Sequence, residues 1–182
     1  MIETARTRAL LLALALALGA GAVHAGGPVL LTVTGAVENA NRGAVDPAHD
    51  KLFVSNHVAF DRAMEFDADT LAALPQATVR ADFPKDGRIV SFTGPLLADV
   101  LAAAGATGAT VTIQAMDGYA VEVASAAMTE KGAVVALARD GKPLGIGGFG
   151  PTQIVFPRAD RADLAEMNDD WWAWQVYHIR VD

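Results

Sequence analysis

Hydrophobic and polar residues alternate with period two along much of the chain, and short turn signals separate the runs. Val29–Thr34 alternates branched and polar residues up to Gly35, which predicts a first strand. Gln76–Arg80 and Arg88–Thr93 predict two more, joined by the turn Pro84-Lys85-Asp86-Gly87. Thr110–Ala115 and Tyr119–Ala124 flank Asp117-Gly118 and predict a hairpin. Ala133–Arg139 predicts a strand that turns at Asp140-Gly141, and Gln153–Phe156 another. In the closing run, Trp171–Val181, strict alternation would put Trp172, Trp174, Val176, His178 and Arg180 on one face.

Helical spacing is rarer. Leu71 and Leu74 lie three apart after Asp67, an N-cap residue, and Pro75 closes that segment. Pro95 stands where a first helical turn tolerates it, followed by the apolar stripe Leu96, Leu97, Val100 and Leu101 and the terminator Gly105. Glu38–Asp61 is polar and irregular, and it predicts loop with a short strand at Leu52–Ser55. Many strands with two or three short helices predict one α+β domain over residues 26–182, with no internal repeat.

The first 25 residues follow a different logic. Arg6 and Arg8 precede an apolar run from Ala9 to about Leu18. Small residues follow, and Val23-His24-Ala25 offers a peptidase site. This is the layout of a signal peptide cut after Ala25, and the run is shorter than a bilayer-spanning helix needs. The expected location of the mature protein is therefore the periplasm. The chain carries a net charge of -7, and the leader holds Glu3 against two arginines, so the mature part is more acidic still. That excludes a basic nucleic-acid footprint. No cysteine is present, which rules out disulfides, thiolate metal sites and a cysteine nucleophile.

The chemistry-bearing motifs are few. Gly145, Gly147 and Gly150 match G-x-G-x-x-G, but Pro151 and a predicted strand follow where a dinucleotide site needs a helix. His49, His57 and His178 lack metal-ligand spacing. Ser55, Ser91 and Ser125 have no hydrolase signature. The carboxylates from Asp160 to Asp170 read as a solvated acidic face. Trp171, Trp172 and Trp174 crowd into four residues, and one side of that run can be core while the other stacks on a planar ligand.

Four segments stand in a telling order: Ser91-Phe92-Thr93-Gly94-Pro95-Leu96-Leu97-Ala98-Asp99-Val100-Leu101, Ala115-Met116-Asp117-Gly118-Tyr119, Gly150-Pro151-Thr152-Gln153-Ile154-Val155-Phe156-Pro157 and Trp174-Gln175-Val176. They resemble the oxidoreductase molybdopterin-binding domain, the fold of sulfite oxidase, over about residues 29–181. Enzymes of that family hold molybdenum through a cysteine thiolate, which this chain lacks. The resemblance therefore points to small exported members without the metal ligand, such as the periplasmic pterin-binding regulators of the PruR type. It implies a reduced pterin as ligand, no molybdenum, and a partner in the periplasmic domain of a membrane cyclic-di-GMP enzyme. The residues expected at the pterin are Asp117 and Tyr119 on the hairpin, Phe149, and Trp171 or Trp172. Arg80 and Phe83 are expected at the same mouth. Two other readings stay open: a molybdopterin-dependent oxidoreductase with oxygen or nitrogen ligands, and an interaction domain with an empty pocket.

Overall fold

The computed structural model describes residues 26–182, so the signal-peptide expectation lies outside the described residues. Among them, no helix is long and apolar enough to cross a membrane. In chain order the elements are β1 (Val29–Gly35), β2 (Arg42–Gly43), α1 (Lys51–Ser55), β3 (Arg62–Asp67), α2 (Ala68–Ala73), β4 (Gln76–Asp82), β5 (Ile89–Pro95), α3 (Leu97–Ala103), β6 (Thr110–Ala115) and β7 (Ala120–Ala124). Then come α4 (Ser125–Glu130), β8 (Val134–Ala136), β9 (Ala138–Arg139), β10 (Lys142–Pro143), β11 (Thr152–Val155) and β12 (Trp174–Val181).

Two sheets result, the larger mixed and the smaller wholly antiparallel. The larger sheet runs β2-β3-β1-β12-β11-β8, with the β6–β7 hairpin also paired to β12, and the smaller runs β10-β9-β5-β4. β12 is the spine. Its second half pairs in parallel with β1 on one edge and antiparallel with β6 on the other, and its start pairs with β11. The apolar faces meet in one core that includes Leu31, Phe66, Phe92, Ile113, Phe156 and Ile179. The sheets approach so closely that a Cβ on Gly94 would sit 2.0 Å from the Val135 carbonyl oxygen, so only glycine fits there.

The Asp67 cap forms as expected. Its carboxylate accepts from the Thr70 amide (2.8 Å) and the Thr70 hydroxyl accepts from the Asp67 amide (2.8 Å), a reciprocal capping box. Other expectations need correction. Leu52–Ser55 is helical, because only Phe53 turns inward while Leu52 and Val54 stay exposed. The strand at Arg62–Asp67 was not predicted: Arg62 and Glu65 interrupt its apolar pattern, yet Ala63 and Phe66 are buried against β1. Pro95 ends β5 rather than starting a helix. The run Ala133–Arg139 breaks into β8 and β9, and α4, built from small residues around buried Met128, was unpredicted.

The closing strand begins only at Trp174, and its alternation fails at the start. Gln175 takes a left-handed φ of 54°, and the register slips between Val176 and His178. Trp172 is buried while Trp174 is 40% exposed, so the two do not share a face.

Candidate functional site

The hairpin turn, the start of β12 and the end of β4 meet around a cleft of about 400 Å³. It is lined by Phe83, Asp117, Tyr119, Asp169, Asp170, Trp172 and Trp174, with Ala115 and Ala173 between them. Gly118 takes a φ of 91°, which lets the turn tighten so that the Asp117 carboxylate accepts from the Tyr119 amide (3.0 Å). The Met116 amide donates to the Gln175 carbonyl (3.0 Å) and anchors the turn beside β12. Across the cleft the Tyr119 hydroxyl donates to the Asp170 carbonyl (2.6 Å), tying the hairpin to the acidic loop.

The aromatic wall is layered. Phe83 stacks nearly parallel on Trp172, with centroids 5.7 Å apart and planes 12° apart. Phe149 meets Phe83 edge-on (5.7 Å) and Trp174 edge-on (6.0 Å). The glycine loop folds back on itself, with the Gly148 and Gly150 amides donating to the Gly145 carbonyl, and Gln175 fastens it to β12 through Gly148 and Phe149. It is thus a device for placing Phe149 under Trp174, and β11 follows it.

The carboxylates differ in what remains open. Asp169 uses both oxygens, accepting from Arg158 (2.7 Å) and from the Lys85 amide (2.7 Å). Asp117 uses one oxygen on the Tyr119 backbone amide, and Asp170 one on the Asn168 side-chain Nδ2 (2.5 Å). Each keeps a second oxygen with no partner among the described residues. The indole nitrogen of Trp172 is buried without a partner as well. Among the described residues, no lysine or arginine lines the cleft.

The seven residues expected at the site separate into three groups. Asp117, Tyr119, Phe83 and Trp172 line the cleft, and Phe149 supports its floor from behind. Trp171 turns the other way, against Phe156 (6.4 Å) and the Lys131 ammonium (5.9 Å), and lines a separate hollow with Leu164 and Met167. Arg80 points to Asp160, with which it pairs at 2.8 Å, and does not reach the cleft. Trp174, Asp169 and Asp170 line the cleft without having been singled out for it. Their signal was present, since a tryptophan and two carboxylates sit within six residues. It was read as core and as a solvated face.

The histidines lie elsewhere. His49 is an exposed partner of Asp46 (2.7 Å), and no group of three or more potential ligands among the described residues could hold a metal ion. His178 is buried in the sheet. Its Nε2 lies 2.8 Å from the Thr34 hydroxyl and its Nδ1 3.1 Å from Gln114 Oε1. Burial, and secondarily the charge of Arg180, push its pKa down to about 4, so the ring is neutral at pH 7.

Comparison with known proteins adds the fold class. No model of a known protein family matches the chain, and no curated protein matches its sequence. Among solved structures it is similar to the sulfane dehydrogenase SoxCD from Paracoccus pantotrophus, with a TM-score of 0.56 and 14% identity. The match covers 84% of this chain and 38% of that one, so the chain spans little more than a third of the SoxCD chain. This likeness supports the sulfite-oxidase-like fold that the sequence motifs suggested. At such identity it carries the fold alone.

Proposed function

We propose that the protein binds a reduced pterin in the Asp117–Trp174 cleft, acts in the periplasm, and reports the ligand to the periplasmic domain of a membrane cyclic-di-GMP enzyme. One observation carries the ligand class: the cleft joins exposed aromatic faces to two carboxylates with open oxygens and holds no lysine or arginine. A pterin is flat and presents amino and ring N–H donors along one edge. Asp117 and Asp170 would accept from those donors, and Tyr119 and Trp174 would cover the ring.

The molybdenum cofactor fits poorly. The chain has no cysteine, and the cleft offers carboxylates, a phenol and an indole rather than a thiolate. A phosphate-bearing pterin would also face carboxylates with no cation lining the cleft to offset its charge. The location and the partner rest on the leader-like first 25 residues and on the family resemblance.

The test begins with protein recovered from the periplasm. Heat should release a fluorescent pterin at near one per chain, and metal analysis should find no stoichiometric molybdenum. Molybdenum at one per chain would favour the oxidoreductase reading. Neither group, together with no binding of 7,8-dihydrobiopterin, would leave an interaction domain. Pterin-dependent capture of the isolated periplasmic domain of a candidate membrane enzyme tests the partner.

A further inference from the structure

Arg158 lies just beyond β11 and is outside the cleft, yet its side chain is 3% exposed and reaches both cleft walls. Its Nε donates to Asp82 Oδ1 (2.6 Å), and one terminal nitrogen donates to the Asp82 carbonyl. The other donates to the Met167 carbonyl (2.8 Å) and to Asp169 Oδ1 (2.7 Å). The guanidinium carbon also sits 4.4 Å from the centroid of the Trp172 ring. Asp82 directly precedes Phe83, and Asp169 precedes the Asp170–Trp174 stretch, so one planar fork holds the two strips of chain between which the cleft opens. Asp169 extends the hold by accepting from the Lys85 amide in the β4–β5 turn.

We propose that Arg158 is the positioning residue of this cleft: it sets the spacing of the Phe83 and Trp172 walls and the aim of the Asp170 loop, and so tunes affinity for a flat ligand it does not touch. The claim rests on the pterin reading for its ligand, but not for its geometry. A planar guanidinium meets Asp82, Asp169 and two carbonyls at once, whereas a lysine ammonium is a point charge that cannot span them.

Two readouts separate positioning from mere stability. In a Trp171→Phe, Trp174→Phe background Trp172 is the sole tryptophan. There Arg158→Lys should red-shift its emission and raise acrylamide quenching severalfold, with far-ultraviolet circular dichroism unchanged. In the protein with all three tryptophans, Arg158→Lys should weaken 7,8-dihydrobiopterin binding about tenfold, the scale of one or two lost charge-assisted hydrogen bonds. Asp169→Asn should weaken it less, and the double variant should be no worse than Arg158→Lys alone. Unchanged quenching with unchanged affinity in a folded Arg158→Lys protein overturns the proposal. If that variant does not fold, Asp169→Asn decides in the same way, unchanged values overturning it. A wild-type protein that ignores the pterin, while the quenching change still appears, defeats the pterin reading and leaves the positioning role standing.

Discussion

β6 and β12 carry two polar regions, and they treat their polar groups in opposite ways. Midway along the pair, His178 is locked between Thr34 and Gln114, and both ring nitrogens have partners. At the end of the pair, the exposed carboxylates of Asp117 and Asp170 each keep an oxygen with no protein partner among the described residues, beside exposed Tyr119 and Trp174. Buried polar groups are normally satisfied within the protein. The His178 cluster follows that rule and is an internal fastening of the sheet. The cleft instead keeps two exposed carboxylates open to solvent beside aromatic area, the arrangement that the proposed ligand would use.

The contrast between Trp172 and Trp174 can be broken first, and with the largest effect. Trp172→Ala removes a buried ring and should cost about 3–5 kcal/mol of stability in urea unfolding. Trp174→Ala, at a 40% exposed position, should leave stability nearly unchanged and weaken pterin binding about fivefold, on the scale of a lost stacking partner. Equal effects on both properties would erase the distinction between support and platform. The fastening role of His178 comes next. Its folded pKa lies below that of the unfolded chain, so the unfolded state binds the extra proton and stability falls as pH drops from 6.5 towards 4. The loss should reach about 3 kcal/mol at the lower limit. His178→Gln should flatten the slope in that window, and a slope that persists would assign it to other groups. Smallest is Tyr119→Phe, which deletes the 2.6 Å bond to the Asp170 carbonyl and should cost about 1 kcal/mol, read as roughly fivefold weaker binding.

Much of this division was legible in the sequence. The hairpin was announced by Asp117-Gly118 between alternating runs, and its two polar-turn residues do line the cleft. The capping box at Asp67 and the stripe through Val100 and Leu101 also read directly, because each is a local pattern. What failed was propagation of period two through Trp171–Val181. One left-handed residue, Gln175, and one register slip reverse the expected facing of Trp172 and Trp174, and no local rule marks a bulge there. Trp171 and Arg80 were expected at the cleft, but their partners, Phe156 with Lys131 and Asp160, come from other segments and turn them away. Arg158 was invisible for the same reason, since its partners Asp82 and Asp169 lie on two separate segments.

The claim that the cleft's open carboxylates receive a flat heterocycle is tested most directly by calorimetric titration of 7,8-dihydrobiopterin into wild-type, Asp117→Asn and His178→Gln proteins at pH 7. The expected result is saturable binding at one site per chain, weakened at least about tenfold by Asp117→Asn, as for loss of a hydrogen bond to a charged group, and untouched by His178→Gln. Binding that survives Asp117→Asn unchanged, or that fails in His178→Gln instead, would contradict the assignment of the two regions.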